Sequence, residues 1–162
     1  MERFTFFYSK TDPFSQFYPC HFEVEGIRYN CAEQYMMHQK ALMFGDVAMA
    51  EAIMSTEVPL EQKRFGRKVT PFDPVRWGQA CIQIVAKGNY AKFTQNPAFL
   101  EKLLATKGTT LVEASPRDRV WGIGMGAKNP LAQDRKNWRG RNQLGEVLTR
   151  VREQILGEHK QN

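Results

Sequence analysis

The sequence predicts an α+β fold, mostly α-helical with a small β-sheet or hairpin, in a single domain over residues 1–162. Three observations predict it. Through the middle of the chain, and again near its end, apolar residues recur at the spacing of helix faces, with Asp or Pro where those helices would begin. Four short aromatic or β-branched runs, each bounded by turn residues, suffice only for a small sheet. A chain of 162 residues that is 42% hydrophobic suits one sizeable core.

Residues 4–8 are aromatic and β-prone, a first strand. Lys10, Thr11, Asp12 and Pro13 form a turn, and residues 14–19 read as an ordered aromatic loop. Residues 21–24 and 27–29 flank Glu25-Gly26, the turn of a short hairpin. A helix follows from about Asn30 and ends near Gly45. Asp46 caps a second helix through Met54, and Pro59 opens a third that Gly66 closes. Asp73-Pro74 starts a long helix to about Phe93, with Trp77, Cys81, Ile84, Val85 and Gly88 on one stripe. Asn96-Pro97 begins another, ended by Gly108, and residues 109–113 form a strand. The last helix, residues 142–156, carries Leu144, Val147, Leu148, Val151 and Ile155 on one side.

Composition narrows the class. No apolar run approaches a membrane span, and the first residues lead straight into structure without a signal or transit segment. Cys20, Cys31 and Cys81 are odd in number and widely spaced, the pattern of reduced thiols in a cytoplasmic protein, or a nuclear one in a eukaryote. His21, His38 and His159 do not cluster with them, so no metal site is expected. The net charge is +6, and residues 117–152 hold nine Lys/Arg against three Asp/Glu. That stretch should attract phosphates or other anions, or act only as a soluble basic face.

The helix after the hairpin is the centre of the chemical reading. At 100° per residue, Tyr35, Met36, Met37, Gln39, Leu42, Met43 and Phe44 share one broad sector that should meet the core. Glu33 and Lys40 fall inside it, about 20° apart as seen down the axis and ~10.5 Å apart along it. Asn30 with Glu33 resembles a capping box, and Lys40 could rest its stem on apolar neighbours with its ammonium in water. The alternative is a cleft that offers a substrate both a carboxylate and an amine.

Residues 115–140 have little periodicity, and a loop of that length in a compact domain is functional or disordered. Trp121 and Trp138 need burial or a stacking partner, Asp118 sits between Arg117 and Arg119, and three glycines follow Trp121 at alternate positions. The run 121–126 lacks the spacing of a dinucleotide fingerprint, and no βαβ pattern surrounds it.

Taken together these stretches resemble the NADAR family, whose bacterial members include the YbiA-like N-glycosidases. The resemblance covers nearly the whole chain. Phe7-Tyr8, Phe14-Ser15-Gln16-Phe17, Ala32-Glu33-Gln34-Tyr35, Gln39-Lys40 and Gly66-Arg67 carry its first half. Trp77, Lys92-Phe93, Leu111-Val112-Glu113, Asp118, Trp121-Gly122, Trp138, Gly140, Asn142, Leu144-Gly145 and Arg152 carry the rest. It implies a YbiA-like fold and hydrolysis of the N-glycosidic bond between a ribose and a base, with no cofactor and no metal. The implied substrates are ADP-ribose on guanine bases of nucleic acid, or phosphoribosylated small molecules such as riboflavin-synthesis intermediates.

The resemblance also implies roles. Glu33, Lys40 and Asp118 become the catalytic residues, and Phe14, Ser15, Phe17, Tyr35, Arg67, Trp77, Trp121, Gly122 and Asn142 bind substrate. Two departures bear on the substrate. Some members carry an acid after the Trp-Gly pair, where this chain has Ile123, and residues 127–136 are longer than in the shorter bacterial members. The residue types suit the chemistry. A carboxylate stabilises positive charge developing at C1′, an acid protonates the departing base, and a lysine of lowered pKa can attack C1′ to form a Schiff base. Each residue also has a plainer reading: Trp77 as core, Asp118 as a balance to its arginines, Arg67 as a charge at a helix end. A non-catalytic module that binds ADP-ribose or NAD is the alternative function.

Overall fold

The computed structural model describes residues 1–161. The chain divides into two compact units, one of Gln16–Pro97 and one of Met1–Ser15 with Ala98–Asn162.

The first of these begins with an antiparallel hairpin, β2 (Phe22–Val24) and β3 (Ile27–Tyr29), with Val24 opposite Ile27. Glu25 and Gly26 turn it, both at positive φ (52° and 82°), as a tight hairpin of this hand requires. Four helices follow: α1 (Ala32–Met43), α2 (Val47–Ser55), α3 (Pro59–Arg67) and α4 (Pro74–Thr94). Their starts follow from local chemistry. Asp46 accepts a bond from the Met49 amide, Asp73 accepts from Val75 and Arg76, and Pro59 and Pro74 occupy first-turn positions that need no amide donor.

Helix α1 departs from expectation. It packs against α2, α3, α4 and β3, and residues from 32 to 38 are buried all round. Gln34, His38 and Ala41, outside the expected sector, are buried, while Leu42 within it is 50% exposed. A helix enclosed by neighbours on several sides has no wet face for a hydrophobic stripe to oppose. Close approach explains two glycines. A Cβ on Gly66 would lie 1.9 Å from Met37 Sδ, and one on Gly88 would lie 2.5 Å from the Tyr35 ring. Gly66 therefore sits inside α3 as a contact with α1 and does not close the helix.

In the other unit, β1 (Phe4–Phe7) pairs parallel with β4 (Thr110–Glu113), Phe4 beside Thr110. The expected small sheet is thus two separate two-stranded sheets. Helix α5 (Pro97–Leu104) ends short of Gly108, which turns at a φ of 90°. The last helix, α6 (Gln143–Gln161), packs on β4 with Leu144, Val147, Leu148, Val151 and Ile155 buried. The aperiodic span from 115 to 140 is ordered by its own core, where Ile123, Met125 and Ala132 join Val112 beneath Phe4, Phe6 and Trp138. Two 3-10 turns, Pro130–Gln133 and Arg135–Asn137, shape its second half. Arg135 lies 4.8 Å from the Trp138 ring and bridges Glu2 and Glu146. No helix among the described residues is long and apolar enough to cross a membrane.

Candidate active site

The start of α1 is held by Cys31, Gln34 and Gln62. The helix is capped by Cys31, whose Sγ accepts from the Gln34 amide at 3.4 Å, and Gln34 Oε1 accepts from the Asn30 amide at 2.8 Å. Cys31 and Gln34 thus take the N-cap and N3 positions of a capping box, with the Gln34 side chain reaching the Asn30 amide one residue before the cap. Gln62, fully buried, completes the knot: its Nε2 donates to Asn30 Oδ1 and Thr56 O, and its Oε1 accepts from Cys31 Sγ. Burial pushes the Cys31 thiol up to about 12, so this cysteine stays protonated and inert as a nucleophile. Glu33 is 4% exposed, and its amide donates to Gln16 O at 2.9 Å.

Two turns on, Lys40 does not lift its ammonium into open water. Nζ lies 4.6 Å from the Phe72 ring centre and 5.7 Å from that of Trp77, within the range of cation–π attraction. Burial holds the Lys40 amine below the ordinary lysine value of 10.5; the Glu33 carboxylate pulls it up and Arg67 pushes it further down. Glu33, Arg67, Phe72 and Trp77 all act on the Lys40 amine. Trp77 is half-buried, at the exposed end of the stripe whose inner members Cys81, Val85 and Gly88 are core. Tyr35 is deeper, edge-on to Tyr29 at 5.0 Å and beside Phe22 at 6.1 Å, and its surroundings are those of a core aromatic. The half-buried Phe17 ring has Lys63 Nζ 5.9 Å from its centre.

The remaining predicted residues lie in the other unit. Asp118 Oδ1 accepts from the amides of Val120 (2.9 Å) and Trp121 (2.8 Å), and Asp118 O accepts from Gly124 N. The carboxylate thereby folds the turn that presents Trp121. Gly122 has no room for a side chain: a Cβ would stand 3.0 Å from the carbonyls of Asp118 and Glu113. Asn142, fully buried at a φ of 52°, accepts from Glu113 N through Oδ1 and donates to Leu111 O through Nδ2. Its amide is thus committed to holding β4. Phe14 is buried edge-on to Phe7 at 5.6 Å, and the Ser15 amide bonds to Asp12 O within the preceding turn. Among the described residues no three His, Cys, Asp or Glu side chains gather in a way that could hold a metal ion.

The basic stretch divides. Arg135, Lys136 and Arg152 form ion pairs with Glu2, Glu146, Asp134 and Glu153. Arg117, Arg119, Arg139 and Arg141 are exposed and form no ion pair among the described residues. The Arg141 amide bonds to Arg119 O, and Arg119 and Arg139 both border Gly124, so these arginines share one surface.

The family model described as the NADAR domain matches residues 6–156. The chain belongs to the NADAR family. A protein of Acanthamoeba polyphaga mimivirus named N-glycosidase is 42% identical over 146 residues, which cover 87% of this chain and 86% of that protein. Protein irg-1 of Caenorhabditis elegans is 38% identical, covering 94% of this chain and 79% of its own length. The NMR structure of the Escherichia coli protein YbiA matches all of this chain and 90% of that one, with a TM-score of 0.81 at 30% identity. The α+β fold is therefore the YbiA-like one. In this NADAR domain Ile123 is fully buried and shares one core with Ala132, against which Trp138 packs. Sequence reasoning missed Phe72. It lies in the α3–α4 loop, and no periodicity links a loop residue to a helix thirty residues earlier.

Proposed function

We propose that this protein is an N-glycosidase that hydrolyses the bond between C1′ of a ribose and a base. The observation that carries the proposal is the half-buried Lys40 amine, shared by Glu33, Arg67 and two aromatic rings on the burying side of α1. A lysine held below its usual range has a larger neutral fraction near neutrality, and the neutral amine is the nucleophile. Its lone pair attacks C1′ as the C1′–N bond breaks, and the base leaves with that electron pair and takes up a proton. The resulting N-ribosyl lysine opens to a protonated Schiff base, which water hydrolyses to free ribose and lysine. Glu33 stabilises the positive charge that develops at C1′. Trp77 offers a face for the base.

The substrate we infer is ADP-ribose on a guanine base of nucleic acid, with Arg117, Arg119, Arg139 and Arg141 meeting strand phosphates. The first experiment incubates the protein with ADP-ribosylated guanosine and measures free base; binding without release would mark a non-catalytic ADP-ribose module. The second compares the salt dependence of kcat/KM for an ADP-ribosylated oligonucleotide and for the nucleoside. Each strand phosphate neutralised adds about 0.7 to 0.9 to the slope against log salt. The oligonucleotide should show the steeper slope, and Arg139→Ala with Arg141→Ala should flatten it. Equal slopes, unmoved by those substitutions, would turn the reading to a phosphoribosylated small metabolite such as a riboflavin intermediate.

A further inference from the structure

The α3–α4 loop places an apolar ring where none is needed for the core. Phe72 is 42% exposed, and its ring contacts Phe44 and Lys40. Its ring stands edge-on to Phe44 at 5.2 Å, and the Arg76 guanidinium lies over the Phe44 ring, 5.4 Å from its centre. Before it, the Thr70 amide donates to Asp46 Oδ2 at 2.9 Å; after it, Asp73 caps α4. Val69 is buried beneath the loop. The side chain so fixed comes within 4.6 Å of Lys40 Nζ, nearer than Trp77.

We infer that Phe72 is a positioning residue for Lys40: its ring is the wall that fixes the amine and keeps water from one side of it. The inference rests on the N-glycosidase reading for its consequence in catalysis, but not for the contact itself. Two effects of the ring oppose each other. Cation–π attraction favours the ammonium by about 0.5–1 kcal/mol at exposed sites. Displacing water from a strongly hydrated ammonium disfavours it, and at a buried amine this is the larger effect. Glu33 on α1 and Arg67 on α3 are the other charged groups acting on the amine, with Arg76 of α4 over the Phe44 ring. None of them changes when Phe72 is replaced, so the wall can be tested alone.

The test measures acetylation of Lys40 by acetic anhydride across pH, read by mass spectrometry of the Lys40 peptide. Phe72→Ala and Phe72→Tyr are compared with the wild type, and thermal melting serves as the folding control. Phe72→Ala should slow Lys40 labelling about threefold or more below the midpoint, because more of the amine is protonated. Phe72→Tyr keeps the ring and should match the wild type. In turnover, Phe72→Ala should lower kcat near neutrality and recover it at high pH, which a general loss of packing would not do. Wild-type labelling in Phe72→Ala, or equal slowing in Phe72→Tyr, would overturn the inference. A labelling shift in a protein that releases no base would uphold it and sink the N-glycosidase reading.

Discussion

Two polar clusters, the Glu33–Lys40 face of α1 and the Asp118 turn before Trp121, look alike in sequence and are held in opposite ways. Asp118 gives its Oδ1 to two backbone amides, and its turn sits in a loop with glycines on both sides of Ile123. Its charge organises backbone. On α1 the cap is supplied by Cys31 and Gln34. Lys40 is set among rings and shifted by burial instead of being neutralised by a close carboxylate. The difference teaches that a polar residue in an apolar context is a chemical candidate only after the backbone's own needs have been met.

The comparison can be broken most sharply at Lys40. Lys40→Ala should lower turnover about 10²- to 10⁴-fold, the range for a lost nucleophile or proton-transfer group. Borohydride added during turnover should trap ribose on the Lys40 peptide in the wild type and not in this variant. Normal turnover by Lys40→Ala would leave direct attack by water as the mechanism.

Next comes Glu33→Gln, which keeps the shape and removes the charge. Turnover should fall about 10²-fold while melting stays near that of the wild type. Loss of stability with activity intact would make Glu33 structural.

The pH dependence of turnover sharpens the same contrast. With Lys40 attacking as the neutral amine, kcat/KM should rise with pH through a midpoint below 10.5, the ordinary lysine value. The stability sign is the same. Between the folded value and 10.5 the unfolded chain binds more protons than the folded one, so stability also rises with pH across that window. Lys40→Ala should remove both slopes. A pH profile flat over that window would separate the shifted amine from the chemistry.

The smallest effects belong to Asp118. Asp118→Asn retains an acceptor for Val120 and Trp121 and should melt within about 2 °C of the wild type with activity kept. Asp118→Ala loses two backbone bonds at about 1 kcal/mol each, and should lower Tm by about 4–8 °C. If Asp118→Asn instead lost as much turnover as Glu33→Gln, the carboxylate would be chemical and the two clusters alike.

What the sequence determined by itself is local. Asp46, Asp73, Pro59 and Pro74 mark helix starts, and Glu25-Gly26 marks the hairpin, because caps and tight turns are decided within about four residues. The stripe of α6 is equally legible, since that helix lays one face on β4. The Glu33–Lys40 pairing was visible for the same reason, as a fixed angular step along one helix. The parallel pairing of Phe4 with Thr110, the all-round burial of α1 and the placement of Gly66 against Met37 were decided only by the tertiary structure. So was the arrival of Phe72 beside Lys40, through a loop anchored on Asp46. Periodicity reports which face of an element is apolar, but it does not report which element comes to cover it, and that choice rests on packing between segments far apart in the chain.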